Sequence, residues 1–124
     1  MMIRYFNFWL GIGWLMILVV WYVSLTPTPP NIEIKFEHLD KVEHLLTYFI
    51  LMFWFAQLYK TKQSRLFFVL FFILMGVTLE ILQGLGQVRF FEYADMLANS
   101  VGVLIGWLLT RGQAKDILLN WFSN

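Results

Sequence analysis

The sequence contains no cysteine, which excludes disulfides, thiolate metal sites and thiol nucleophiles. Charge is sparse as well: 14% of the 124 residues are charged, against 60% apolar. A domain of this length keeps too high a surface-to-volume ratio to hide so much apolar surface from water. Lipid must therefore be the solvent for most of the chain. Proline is confined to Pro27, Pro29 and Pro30, and no internal repeat or low-complexity tract is visible. The formal net charge of +1 says little about partners, and no nucleic-acid partner is expected. What abounds is aromatic: 13 Phe, 6 Trp and 5 Tyr, a profile suited to helices that meet lipid and headgroups.

Four apolar stretches, about 5–25, 42–59, 66–82 and 94–110, each approach the roughly 20 residues that cross about 30 Å of hydrocarbon. Backbone groups in lipid must be satisfied internally, so runs this long read as helices. The expectation is one all-α domain over residues 1–124, a polytopic bundle of four transmembrane helices. The first stretch has no small-residue cleavage site after it and reads as a retained span. Prolines stop it at residue 27. Alternation of Ile32, Ile34 and Phe36 with Glu33, Lys35 and Glu37 allows a short interfacial strand. The segment Lys60–Arg65 reads as a short basic loop. The tail, with Ile117, Leu118, Trp121 and Phe122 among charges, reads as an interfacial amphipathic helix.

Lysine and arginine set the orientation. Arg4, Lys60, Lys62, Arg65, Arg111 and Lys115 fall on one side, and Lys35, Lys41 and Arg89 on the other. The richer side marks the cytoplasm, so both termini are expected inside a bacterial cytoplasmic membrane. Nearly every acid then lies in the outer half, from Glu33, Glu37, Asp40 and Glu43 to Glu80, Glu92 and Asp95.

The basic residues also serve as depth markers. His44 lies 16 residues before Lys60, Glu80 15 after Arg65, and Asp95 16 before Arg111. At helical rise each sits about 23 Å from the cytoplasmic boundary. Charge within hydrocarbon is expensive and so marks function by default. Asp40, His44 and Tyr48 share one helical stripe, with Lys41 at its shoulder. Glu80, Gln83 and Gln87 share another if the third helix continues that far. Glu92, Asp95, Asn99, Gly102 and Gly106 form a third, polar above and glycine below, where a neighbouring helix can approach closely.

This set suits a phosphate-bearing substrate. Arg89 offers a planar fork for phosphate and Lys41 a second positive charge. His44 is the natural general base or nucleophile near neutral pH, with Asp40 placed to orient it. Glu80 and Asp95 are candidates to steer His44, hold Arg89 or bind a divalent cation; no cofactor is fixed by the residues. Gln83 and Asn99 are neutral partners for an oxyanion. Plainer readings stand beside these. Asp40 and Lys41 suit a helix cap and a snorkelling lysine, Glu80 and Asp95 a hydrogen-bonded network between helices, and Arg89 a lipid-phosphate contact.

Asp40-Lys41-Val42-Glu43-His44 followed by Tyr48 resembles the first signature of the VanZ-like membrane proteins. Glu80-x2-Gln83-x5-Arg89-x5-Asp95-x3-Asn99-x2-Gly102-x3-Gly106 resembles the second, and Ser24-Leu25-x-Pro27 also fits. The resemblance spans roughly residues 20–106. It implies a link to glycopeptide (teicoplanin) resistance, and lipid-directed chemistry on phosphate-linked headgroups. Carried over position by position, Asp40, Lys41, His44, Glu80, Gln83, Arg89, Asp95 and Asn99 occupy the family's polar positions. On the chemistry of their side chains, His44, Glu80 and Asp95 are the candidates for catalysis. Asp40, Lys41, Tyr48, Gln83, Arg89 and Asn99 fall to substrate binding. One departure is that Gly86-Gln87-Val88 stands where relatives often carry a proline before the arginine. Three functions remain open. One is an outer-leaflet enzyme acting on a phosphate-linked headgroup of a lipid or lipid-linked cell-envelope precursor. The others are a non-catalytic protein that binds such a molecule and a small transporter subunit that would need oligomers.

Overall fold

The computed structural model describes residues 5–26, 39–86 and 93–111, with Leu39 and Asp40 described by backbone alone. These residues form four helices and no strand: α1 Phe6–Leu25, α2 Leu39–Leu58, α3 Lys62–Leu85 and α4 Tyr93–Leu109. The strand at 32–36 and the interfacial helix after 111, both expected from sequence, lie outside the described residues.

Helix ends follow local chemistry. The Thr26 hydroxyl donates to Tyr22 O at 2.6 Å, closing α1 before Pro27, whose ring cannot continue a helix. Thr61 caps α3: its side chain accepts from Ser64 N at 3.1 Å in the usual N-cap arrangement. This corrects the reading of Lys60–Arg65 as a loop. Lysine and arginine are good helix formers, so once Thr61 caps the turn, Lys62 to Arg65 continue into α3. At its other end α3 runs to Leu85 and includes Gln83.

The helices run up, down, up, down. Phe6 stacks edge-on against Tyr59, and the Trp54 indole donates to Trp9 O at 2.9 Å, so α1 and α2 are antiparallel. The pair α2 and α4 runs in one direction and makes the most extensive contact in the molecule. Glycine is the reason. A Cβ at Gly102 would collide with the Leu45 carbonyl oxygen, and one at Gly106 would meet Phe49 O at 3.0 Å. The two backbones therefore touch directly, as small residues permit between membrane helices. By contrast, α1 rests on α2 and α3 and buries only Gly13 and Ile17.

The core is aromatic toward the end carrying Lys60 and Arg65. Phe55 lies 4.8 Å from Phe68 and 5.6 Å from Phe72, ring centroid to centroid. The outer surface is apolar: Phe8, Leu15, Leu18 and Tyr22 on α1 and Phe67, Leu70 and Leu74 on α3 are all exposed. Among the described residues, α1 and α3 are long and apolar enough to cross a membrane, and α4 is a shorter apolar helix. The polar first turns of α2 dilute its hydropathy.

At the basic end, Arg65 is buried and laces three helices together. Its Nε and Nη2 donate to Ala56 O at 3.0 and 2.7 Å, Nε also to Tyr59 O at 3.2 Å, and Nη1 to Thr110 O at 2.9 Å. These carbonyls belong to the C-terminal ends of α2 and α4, where helices leave oxygens unpaired and partial negative charge accumulates. The guanidinium satisfies both ends with one rigid fork.

Candidate functional site

The direct α2–α4 seam sets the register of the polar groups above it. With Gly102 opposite Leu45 and Phe49, Asp95 two turns earlier on α4 comes level with the first turns of α2. There Lys41 Nζ lies 2.7 Å from Asp95 Oδ1. His44 Nε2 lies 3.7 Å from Asp95 Oδ2. Asp95 is therefore a carboxylate beside the imidazole. Asp40, expected to orient His44, has no described side chain.

The two contacts differ in kind. The lysine approach is short but oblique, since Asp95 Oδ1 is buried and receives no directed hydrogen bond; the attraction is Coulombic. The histidine contact exceeds hydrogen-bond length and acts as a charge interaction when the ring is protonated. Asp95 is buried, at 7% side-chain exposure, while Lys41 and His44 are partly open, at 21% and 18%. Low dielectric around the carboxylate strengthens both attractions. Asp95 also sits in the first turn of α4, where the helix dipole favours negative charge.

One turn further in, a second polar layer is closed to solvent. Tyr48 and Glu80 are 2% and 1% exposed. Asn99 lies one turn beyond Asp95 on α4 and packs against Gly76. A Cβ at Gly76 would meet Asn99 Nδ2 at 3.0 Å, so the glycine makes room for the amide. Asn99 Oδ1 is buried without a hydrogen-bond donor, a position that calls for a water or a ligand donor. Gln83 reaches α1. Its Nε2 donates to Ser24 O at 2.7 Å and fastens α3 to the end of α1.

The structure thus brings together Lys41, His44 and Asp95, with Tyr48, Glu80 and Asn99 beneath them, and places Gln83 at the α1–α3 seam. Arg89, Gln87 and Glu92 lie outside the described residues. Among the described residues no group of three or more His, Cys, Asp or Glu side chains could hold a metal ion; His44 and Asp95 supply two such groups. Beside His44 opens a pocket of about 220 Å³, lined by Val19, Val20, Val23, Ser24, Glu43, His44, Thr47 and Tyr48. His44 joins this pocket to the Lys41–Asp95 pair; a cation, an imidazole and a carboxylate so grouped can bind an oxyanion and move a proton.

Sequence reasoning missed the roles of three contributors. Arg65 reads from sequence as a loop charge and a depth marker, although the Thr61-x-x-Ser64 cap places it on a helix. Gly76 carried no signal apart from its helical position. Ser24 acts through its backbone oxygen, which no side-chain pattern reveals.

A family model described as VanZ/LLP1 matches residues 4–120. Neither a curated protein nor a solved structure matches the chain.

Proposed function

Because the chain belongs to the VanZ/LLP1 family, which is associated with glycopeptide resistance, we propose that it is a membrane enzyme of the cell envelope. It acts on a phosphate-linked headgroup of a lipid or lipid-linked precursor. All four helices span the bacterial cytoplasmic membrane, both termini lie inside, and the Lys41–His44–Asp95 end faces the extracytoplasmic side. The excess of Lys and Arg on the opposite end supports this orientation and survives without Arg65, which is occupied in packing.

The observation that carries the reading is Asp95 held between Lys41 and His44, with His44 also lining a pocket. Lys41, shared between Asp95 and the substrate, attracts the phosphate, and Arg89 adds a fork. His44 takes the proton of the attacking hydroxyl as the new P–O bond forms and the bond to the leaving oxygen breaks. Asp95 stabilises the imidazolium so produced. The leaving oxygen acquires its proton from solvent. A changed envelope headgroup alters what a glycopeptide antibiotic meets at the membrane.

A non-catalytic binder is the second reading. It is favoured by the His44–Asp95 separation, which is longer than a working hydrogen bond. One assay separates the two. Purified protein in phosphatidylcholine vesicles containing phosphatidylglycerol or polyprenyl phosphate is monitored for released headgroup or phosphate. The enzyme reading expects turnover that His44→Ala lowers about a hundredfold or more in a protein that stays helical. Saturable binding without product, unaffected in rate by His44→Ala, supports the binder instead.

A further inference from the structure

The pocket beside His44 does not stop at its own floor. Val19, Val20 and Thr47 line it and also line a second cavity of about 310 Å³ that continues between α1 and α2. The remaining walls of that cavity are Ile12, Leu15, Met16, Ile50 and Leu51. Polarity therefore changes along one continuous path. Ser24, Glu43 and His44 stand at its head, Thr47 at the junction, and hydrocarbon alone lies beyond.

We propose that this α1–α2 groove seats an acyl chain of the phospholipid whose headgroup lies at Lys41 and His44, so that the chain as well as the headgroup selects the substrate. For its head end the inference rests on the headgroup reading above.

Dimensions favour this occupant. From Ser24 to Ile12 the path follows twelve residues of α1, about 18 Å at helical rise, or slightly more than half of a ~30 Å hydrocarbon core. That is the depth of one leaflet, so a chain can run from the polar end to the bilayer midplane. A polyprenyl chain, longer and methyl-branched, would outrun the groove. Because lipid tails are already in hydrocarbon, the hydrophobic effect does not drive seating. The preference comes from contact with fixed walls on two sides.

The test uses the full chain in phosphatidylcholine vesicles doped with phosphatidylglycerol carrying a diazirine midway along one acyl chain. After irradiation, labelled positions are mapped by mass spectrometry. Ile12, Met16 and Leu51 should be labelled about tenfold more than Phe67, Leu70 and Leu74 on the lipid-facing side of α3, the ratio that ~1.4 kcal/mol of preference gives. Thr47→Trp should fill the junction and return groove labelling to the α3 level. Val20→Trp, which fills the same junction from α1, serves if the first variant does not fold. Equal labelling of both faces in the unmodified protein overturns the proposal, as does stronger labelling by a diazirine polyprenyl phosphate. Diazirine diacylglycerol distinguishes the two layers of inference. If it labels the groove as strongly as phosphatidylglycerol, the groove stands and the phosphate reading fails. Uniform labelling beside intact, His44-dependent turnover leaves the phosphate reading and removes the groove.

Discussion

Gly102→Ala is the smallest change that tests whether the α2–α4 seam positions the site. The added methyl would occupy the space of the Leu45 carbonyl oxygen and approach Phe49 N at 3.0 Å. Both are backbone atoms of a regular helix, so no side chain can rotate out of the way and the two helices must separate. Overpacking of this kind costs about 1–3 kcal/mol, and the upper half of that range applies where backbone meets backbone. Replacing glycine within a helix returns about 1 kcal/mol of propensity. The net expectation is a loss of roughly 1–2 kcal/mol. Gly11→Ala is the control, because a Cβ there meets nothing within 4 Å and only the propensity gain remains. Asp95 lies seven residues from Gly102, about 10 Å along α4, so the separation also lengthens the 2.7 Å Lys41–Asp95 contact. Reversible unfolding in mixed detergent–lipid micelles measures the first effect. Binding of phosphatidylglycerol measures the second. If Gly102→Ala matches Gly11→Ala in stability, the direct backbone seam is wrong.

Arg65→Met should lower stability by about 3 kcal/mol, equivalent to two charge-assisted hydrogen bonds. Arg65→Lys should recover only part of this, because an ammonium cannot fork between the ends of α2 and α4; thermal unfolding in detergent reads both. Gln83→Leu should cost about 1 kcal/mol, with hydrogen exchange rising chiefly at the Ser24 end of α1. Unchanged exchange there would deny that Gln83 fastens α1. Asp95→Asn should tighten phosphate binding by releasing Lys41 while lowering turnover about a hundredfold through His44; parallel loss of both would show instead that Asp95 only holds the fold.

Helix number was legible because each apolar run is bounded by charge or proline. Helix ends were less so. The basic stretch before Leu66 reads as a loop because charge usually means solvent, yet Arg65 points inward to carbonyls that water cannot reach. Face assignments from three- and four-residue spacing put His44 with Tyr48 and Asp95 with Asn99, since spacing fixes which side chains share a side of one helix. Spacing says nothing about how neighbouring helices rotate against each other. The partnership of Asp95 with Lys41, and the attachment of Gln83 to the Ser24 backbone, depend on that rotation. It is set by Gly76, Gly102 and Gly106, whose meaning emerges only when the atoms opposite them are known.

The loose seating of α1 has a consequence for how such a protein can diversify. Lys41, His44 and Asp95 all belong to the glycine-seamed pair, whereas α1 lends the pocket a wall and little else. Substitutions along that wall can reshape what fits beside the reactive trio while the trio keeps its spacing. Recognition and reactivity are thereby carried by separate parts of a very short chain, and the first can drift while the second stays fixed.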